Sequence, residues 1–477
     1  MLFNSRLFVL GFLPLAYLGF LLAGRLGRRP ALVWLLLCSL AFYAWWKPPC
    51  VLLLLVSIAV NYAVAGQIRR AGGMWLALGL VFNLGLLGVF KYAGLLAGTL
   101  GLPFGGIYLP LGISFFTFQQ VMYLVDTSRG QTDDVPLLDY ACFIAFFAHL
   151  IAGPIVRPGH ILPQFAALRP GAAWRETAAA GLEIFFLGLA KKLVLADGLA
   201  RFADPGFAAA ARLDHVTLIE AWVALLAYGL QIYFDFSGYS DMAIGLARMF
   251  GIEFPLNFRS PYQARDISTF WRRWNITLSG FLRDYLYIPL GGNRRGETRR
   301  IANLMITMLL GGLWHGAAWR FMLWGGLHGL YLVVHGWTKR LPVCLPQGVS
   351  WAITLLAVLL AWVPFRAAGW APAMDMYRGL FGLNGVAIPG IAVQVFPWLA
   401  RFGQVVPVLP YLGDARTLSL PQAVMFLALG WFIALVLPEV HSLGARRRSA
   451  AFIASFALCL QGLLMEPAAV PFLYFQF

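Results

Sequence analysis

Leu309-Leu-Gly-Gly-Leu-Trp-His-Gly-Ala-Ala-Trp319 places one histidine, His315, inside an apolar stretch covering residues 301–337. That stretch is long enough for two membrane spans, or for one span and a re-entrant piece. A charged, unpaired side chain at bilayer depth costs several kcal/mol, so such residues face a wet cavity or a partner and mark function more often than structure. Upstream, residues 259–300 form the most polar part of the chain, rich in arginine. A polar gate beside a buried histidine points to chemistry carried out within a membrane.

The whole composition agrees. Of 477 residues, 60% are hydrophobic and only 12% charged, with a mean hydropathy of +0.75. A soluble domain carries about a quarter charged residues. Continuous apolar runs, rather than alternating ones, exclude a β-barrel. The reading is an all-α polytopic membrane protein with about 11 to 13 transmembrane helices, plus re-entrant and interfacial helices around a central funnel. The run from Leu7 to Gly24 lacks a small-residue cleavage site and reads as a retained first span.

We read residues 1–477 as one membrane domain. Residues 1–130 supply N-terminal helices, residues 131–340 the catalytic core, and residues 341–477 C-terminal helices with a long loop near 369–422. The 217–250 stretch, like 301–337, is long enough for two spans. Proline and glycine break many runs, as in Leu109-Pro-Leu-Gly112 and Gly153-Pro154. Broken spans survive only where protein or a water-filled cavity satisfies the freed backbone groups, which favours a funnelled enzyme or transporter over an anchor.

The net charge of +16 is read as cytoplasmic loops and contact with anionic membrane lipid, not as nucleic-acid binding. Basic clusters at 25–29, 69–70, 294–300 and 446–448 face the cytoplasm, and Trp45-Trp46-Lys47 then falls at the outer interface. The five cysteines show no paired spacing, so neither a disulfide framework nor a zinc site is indicated.

Several residues are candidates for chemistry, each with a bland alternative. His315 is either a general base, since a neutral imidazole can take a proton from an attacking hydroxyl, or a histidine tied to a neighbouring helix. Asn275 is either a donor to the oxyanion of an acyl-transfer intermediate or glue between helices. The amphipathic stretch Phe270–Pro289 carries Arg272, Arg273, Trp274, Arg283 and Asp284. It is either an anchor with snorkelling arginines or the floor of a chamber whose arginines hold an anionic donor. Trp314 flanks the histidine. His328 is a plausible supporting group and His335 interfacial, and their separation of about 10 Å along a helix is too great for one metal. Asp235, Ser237, Tyr239 and Asp241 are intramembrane polar residues whose carboxylates need partners, with Arg248 and Arg259 as candidates. A proton-coupled transporter or flippase could use the same carboxylates, and a structural synthase subunit would need none of these residues. No Walker loop, dinucleotide fingerprint, nucleophile elbow or His-x4-Asp spacing is present.

At these residues the chain resembles the membrane-bound O-acyltransferase (MBOAT) family, and within it the bacterial alginate O-acetylation branch. The resemblance runs nearly end to end. It rests on Phe42–Trp46, Leu109–Gln119, Leu150–Arg157, Gly188–Lys192, the Asp235–Asp241 run, Asp266–Gly292, Trp314-His-Gly316 and Phe472–Phe477. It implies an MBOAT fold and an O-acetyltransferase in the bacterial inner (cytoplasmic) membrane, with His315 as the catalytic histidine. Asn275 stands where the alginate branch often has histidine; it keeps hydrogen bonding but cannot exchange a proton. The resemblance further implies acetyl-CoA or another acyl thioester as donor substrate, with no bound cofactor. It implies an SGNH-type acetyltransferase partner outside the membrane and an exported polysaccharide as acceptor. Peptidoglycan O-acetylation and D-alanyl transfer to teichoic acid are the alternatives within the family.

Overall fold

The computed structural model describes residues 1–169, 174–342, 345–412, 420–465 and 470–473. Helices dominate, and the described strands are two three-residue pieces, Ala387–Pro389 and Gln404–Val406, paired in parallel. The C-terminal residues Tyr474 to Phe477, like Cys344, lie outside the described residues.

The molecule is organised around one central helix, Leu218–Met249. Thr217 and Glu220 form a capping box at its start, satisfying backbone donors that a helix leaves open. At about 1.5 Å per residue it is roughly 48 Å long. Its side chains from Ala227 to Ala247 are buried on every face, so it is wrapped by other helices rather than by lipid. The 217–250 stretch is thus one uninterrupted helix, not two spans. Its glycines are sites of close packing rather than breaks: a methyl at Gly238 would lie 2.7 Å from the carbonyl oxygen of Gly188 on the Trp174–Ala190 helix.

Five helices among the described residues are long and apolar enough to cross a membrane: Leu7–Arg25, Pro49–Ala71, Gly73–Thr99, Leu218–Met249 and Gln347–Arg366. Two further helices of 20 residues, Gly296–His315 and Trp319–Thr338, carry arginines and histidines within their length. They are the two halves of the 301–337 stretch, separated at Gly316–Ala318.

These two helices cross at glycines. A methyl on Gly312 would lie 2.2 Å from the carbonyl oxygen of Phe321, and one on Gly325 would lie 2.1 Å from that of Met308. Membrane helices associate through small residues because lipid gives no hydrophobic drive between them. The crossing brings the end of the His315 helix against the first turns of the next.

The break at Gly153-Pro154 falls within an irregular segment that is buried from residue 146 to 156. Its freed backbone groups are met inside the protein, as membrane burial requires. The amide of Phe147 donates to Ser39 Oγ at 3.1 Å, and that of Ile155 donates to Thr277 Oγ1 at 3.0 Å. Residues 369–412 form short helices, from Trp370–Leu380 to Pro397–Arg401, and the two small strands, the second of which follows Pro397–Arg401.

Candidate active site

His315 is the last residue of its helix and is 5% exposed. Aromatic rings hold it: Trp324 at 4.9 Å, Phe365 at 5.3 Å and Trp314 at 5.1 Å between centroids. It lines two spaces. One is a cavity of about 210 Å³ shared with Trp46, Lys91, Tyr108, Ser114 and Ile151. The other is a crevice of about 10 Å³ among Asp235, Trp274, Trp362, Phe472 and Leu473.

A larger pocket of about 630 Å³ lies toward the other end of the same helix, lined by Thr307 and Met308. Its rim carries Arg157, His160, Arg272, Arg283 and Tyr287, and its wall is apolar at Leu282, Leu304 and Leu332. Met308 precedes His315 by two turns, about 10 Å along the axis. The arginine-rimmed pocket thus opens at the middle of this helix and the cavity with Trp46 at its C-terminal end.

A wall stands between the large pocket and the His315 crevice. Trp274 faces the His315 crevice, whereas Ile276 and Thr277 line the large pocket. Asn275 lies between, buried, with the left-handed backbone of φ +43°. Its Nδ2 has no hydrogen-bond partner. A strained backbone at a buried, unpaired carboxamide is a combination that functional sites retain. The neighbouring backbone is pinned from Asn257, whose carbonyl accepts from the amide of Ile276 at 2.9 Å.

His328 is fully buried on the Trp319–Thr338 helix, and neither ring nitrogen has a hydrogen-bond partner. It packs on Trp324 at 4.8 Å and Trp271 at 5.2 Å. Trp271 in turn lines the large pocket. His335, one face-sharing step further, lies 3.2 Å from the Asp266 carboxylate at the polar edge.

The arginine-rich stretch divides. Arg272 and Arg283 line the large pocket. Arg273 lines a separate cavity of about 640 Å³ with Arg259, Gln263 and Glu439, to which Arg272 also contributes. Asp284 joins the rim by pairing with Arg157 and with Arg283. Burial pushes its carboxyl up, but hydrogen bonds from the two guanidiniums outweigh this and hold it below the usual carboxylate range. Trp314 faces away from this pocket and stacks on Phe118 at 5.5 Å.

The intramembrane carboxylates have partners other than the arginines expected. Lys192 Nζ lies 2.7 Å from Asp235, and Lys191 Nζ lies 2.6 Å from Asp241. His441 adds a contact to Asp241 at 2.8 Å. The reason is a register match: the helix ending at Ala190 packs alongside the central helix and delivers the Lys191-Lys192 pair to it. The amide of Leu473 also donates to Asp235 at 2.8 Å. Ser237 and Tyr239 are buried on the same helix, and Tyr239 stacks between Phe3 and Phe472 at 4.8 Å each.

Sequence reading passed over Lys91, Arg157, Trp271, Trp324 and Trp362. Lys91 had a visible signal, being the one charged residue of the span Gly73–Thr99. Trp324 and Trp362 had none, since an aromatic residue in a membrane helix is ordinary, and Trp271 was one aromatic among several in the amphipathic stretch.

A polytopic helical protein with a buried histidine that lines two spaces, and an arginine-rimmed pocket further along its helix, has the frame of a membrane-embedded transferase. The model of the MBOAT family, membrane-bound O-acyltransferases, matches residues 32–354, and the chain belongs to that family. It is 42% identical over 443 residues to the peptidoglycan O-acetyltransferase of Helicobacter pylori, covering 84% of each chain. It is 42% identical over 404 residues to the probable alginate O-acetylase AlgI of Pseudomonas aeruginosa, covering 80% of this chain and 75% of that one. The teichoic acid D-alanyltransferase of Bacillus subtilis is more distant, 26% identical over 52% of this chain and 65% of its own. The protein is a multi-pass membrane acyltransferase of the O-acylating MBOAT type, and the transporter reading falls away.

Proposed function

We propose that this protein takes acetyl from a cytoplasmic thioester, acetyl-CoA, and passes it across the bacterial inner membrane for O-acetylation of an exported polysaccharide, alginate or a similar exopolymer. The observation that carries this reading is that His315 lines the Trp46 cavity while the arginine-rimmed pocket opens along the same helix, two turns before it. The arginine-rimmed pocket is lined by Thr307 and Met308 of that helix, and the Trp46 cavity by His315 at its end. Basic residues mark the cytoplasmic side, which supports entry of the donor through the first opening and of the acceptor through the second.

Arg272 and Arg283 offer the donor's phosphates a cationic rim. The apolar wall at Leu282, Leu304, Met308 and Leu332 suits its pantetheine arm. The thioester then meets the wall at Trp274 and Asn275. His315, as the free imidazole, takes the proton of the acceptor hydroxyl while that oxygen attacks the thioester carbonyl. Asn275 Nδ2 donates to the carbonyl oxygen as negative charge gathers there. The C–S bond breaks, the proton passes to the departing thiolate, and an ester and a free thiol result. An SGNH-type acetyltransferase outside the membrane completes the modification of the polymer. The protein's positive charge serves anionic membrane lipid and the donor.

A peptidoglycan acceptor is the second reading, favoured by the Helicobacter pylori relative at the same identity as the alginate one. D-alanyl transfer has only the 26% identical relative behind it. Purified protein in lipid, given radiolabelled acetyl-CoA with alginate oligomers or glycan strands, separates these by the labelled product. His315→Ala should bind donor as before and lose transfer by at least about 100-fold. Undiminished transfer by that variant would overturn the mechanism.

A further inference from the structure

The cavity of about 640 Å³ that takes Arg273 has no part in the acyl transfer. Arg259, Arg272 and Arg273 line it, with Glu439 as the single acidic residue of its lining. Arg272 Nη2 donates to Thr269 Oγ1 at 3.1 Å, and among the described residues none of the three arginines pairs with a carboxylate. The charges that act most strongly on Glu439 are Lys191, His441 and Asp241 rather than these arginines.

Two ties build the cavity. The amide of Arg259 donates to the carbonyl of Arg273 at 2.9 Å, which holds the two residues together. Gln263 Nε2 donates to the carbonyl of Leu435 at 3.1 Å, which fastens this segment to the last turn of the helix Leu420–Val436. That helix extends the site into the membrane. Met425, Leu429, Phe432 and Val436 are all exposed and, at spacings of four, three and four, share one face. Val436 and Leu437 belong to the cavity's own lining. From Met425 to Val436 the stripe runs about 16 Å, close to half of the roughly 30 Å hydrocarbon core, the depth of one leaflet. Ser442, also in the lining, comes shortly before Arg446-Arg-Arg448, and such basic runs mark the cytoplasmic face.

Guanidiniums bind phosphates through paired N–H donors, and several of them around one open space repel each other until an anion lies among them. An apolar face that ends at such a cluster matches a molecule with a phosphate at one end and hydrocarbon at the other. The volume of about 640 Å³ equals roughly twenty waters at about 30 Å³ each, room for a phosphodiester and its glycerol.

We propose that this cavity binds an anionic phospholipid of the inner leaflet, with its phosphodiester between Arg259 and Arg273 and an acyl chain along Met425, Leu429, Phe432 and Val436. The site lies outside the proposed transfer, whose donor and acceptor occupy other spaces, and does not depend on which acyl group is moved. Arg272 lines both this cavity and the donor pocket, so a bound headgroup touches the edge of the donor site. Arginines solvated at a cytoplasmic surface are the alternative.

Native mass spectrometry of the full-length protein in detergent, titrated with dioctanoyl phosphatidylglycerol, dioctanoyl phosphatidylcholine or glycerol 3-phosphate, separates the readings. The wild type should bind phosphatidylglycerol at least about tenfold tighter than either of the others. The double variant Arg259→Gln with Arg273→Gln should bring phosphatidylglycerol down to the phosphatidylcholine level. Each single variant should weaken it by about fivefold, which keeps the test sound if the double variant does not fold. Arg446→Gln with Arg447→Gln, in a basic run outside the cavity, should leave the preference unchanged. Equal binding of the two lipids by the wild type overturns the proposal, as does an undiminished preference in the Arg259 and Arg273 variants. Glycerol 3-phosphate bound as tightly as phosphatidylglycerol would make this a free-phosphate site and overturn the lipid assignment. Displacement of the lipid by saturating acetyl-CoA would hand the cavity to the donor's own phosphates and overturn it too. Acetyl-CoA consumption by the same samples is read separately: its absence in the wild type would sink the acetyl-transfer reading and leave the lipid site standing.

Discussion

The indole of Trp324 stands edge-on to the imidazole of His315, with ring centroids 4.9 Å apart and ring planes 81° to each other. The same indole meets His328 at 4.8 Å, so one side chain fixes the candidate base and touches its unpartnered neighbour. Trp324→Ala should remove both contacts, cost about 3–5 kcal/mol of stability as a large buried cavity, and lower turnover at least tenfold. Trp324→Phe keeps a ring in place and should lose much less of each. Thermal denaturation and turnover measured on both variants check this; equal turnover in the two would mean that the indole does not position His315.

Asn275 combines two demands that substitution can separate. Its φ of +43° is strained for a residue with a Cβ, by roughly 1–2 kcal/mol, and glycine relieves that strain. Asn275→Gly should therefore be more stable than Asn275→Ala. Both should lose about 100- to 1000-fold in the rate of acyl transfer if the carboxamide serves the oxyanion. An active glycine variant would assign Asn275 to backbone geometry alone.

Gly325 faces the carbonyl oxygen of Met308, and a methyl there would sit 2.1 Å from it. Backbone cannot swing aside as a side chain can, so Gly325→Ala should part the His315 helix from its neighbour. Overpacking of this kind costs about 1–3 kcal/mol or more. A lowered melting temperature in detergent, together with lost transfer, is the expected outcome.

At the rim of the large pocket, Arg272→Ala and Arg283→Ala should each raise KM for acetyl-CoA several-fold, more at low salt than at high. Arg273→Ala should do less, because its side chain lines a different cavity. The carboxyl of Asp284 is depressed in the folded protein. Its ion pairs are therefore present above the ordinary carboxylate value of about 4 and are lost only as pH falls through the lower folded value. KM for the donor should be flat from about pH 5 to pH 8 as far as this group is concerned. A step inside that window that disappears in Asp284→Asn would contradict the assignment.

The sequence was a good guide wherever local composition sets the outcome. Apolar runs without alternation define a helical membrane protein, because lipid satisfies no backbone group. The histidine at position 315 stood out because titratable groups are expensive there. The 301–337 stretch divided as its Gly316 break allows. The 217–250 stretch did not divide, because glycine in a membrane helix is as often a packing surface as a hinge, and hydropathy does not distinguish them.

Pairings were the hardest to read. Asp235 and Asp241 were matched with arginines nearby in sequence, whereas Lys192 and Lys191 arrive from a helix about 50 residues earlier. The arginines at 272, 273 and 283 looked like one cluster, yet Arg273 and Arg283 open into different cavities.

Residue order alone determined that this chain lives in a membrane, is built of helices, and carries His315 at a depth where it needs a reason to exist. Those features follow from transfer energies that act residue by residue. Tertiary structure alone decided that Lys91 lies against the carbonyl of Trp314, that Asn275 stands between the arginine-rimmed pocket and the His315 crevice, and that His315 lines both that crevice and the Trp46 cavity. Such relations join residues far apart in the chain, and the glycine contacts and helix registers that create them leave no periodic trace to read.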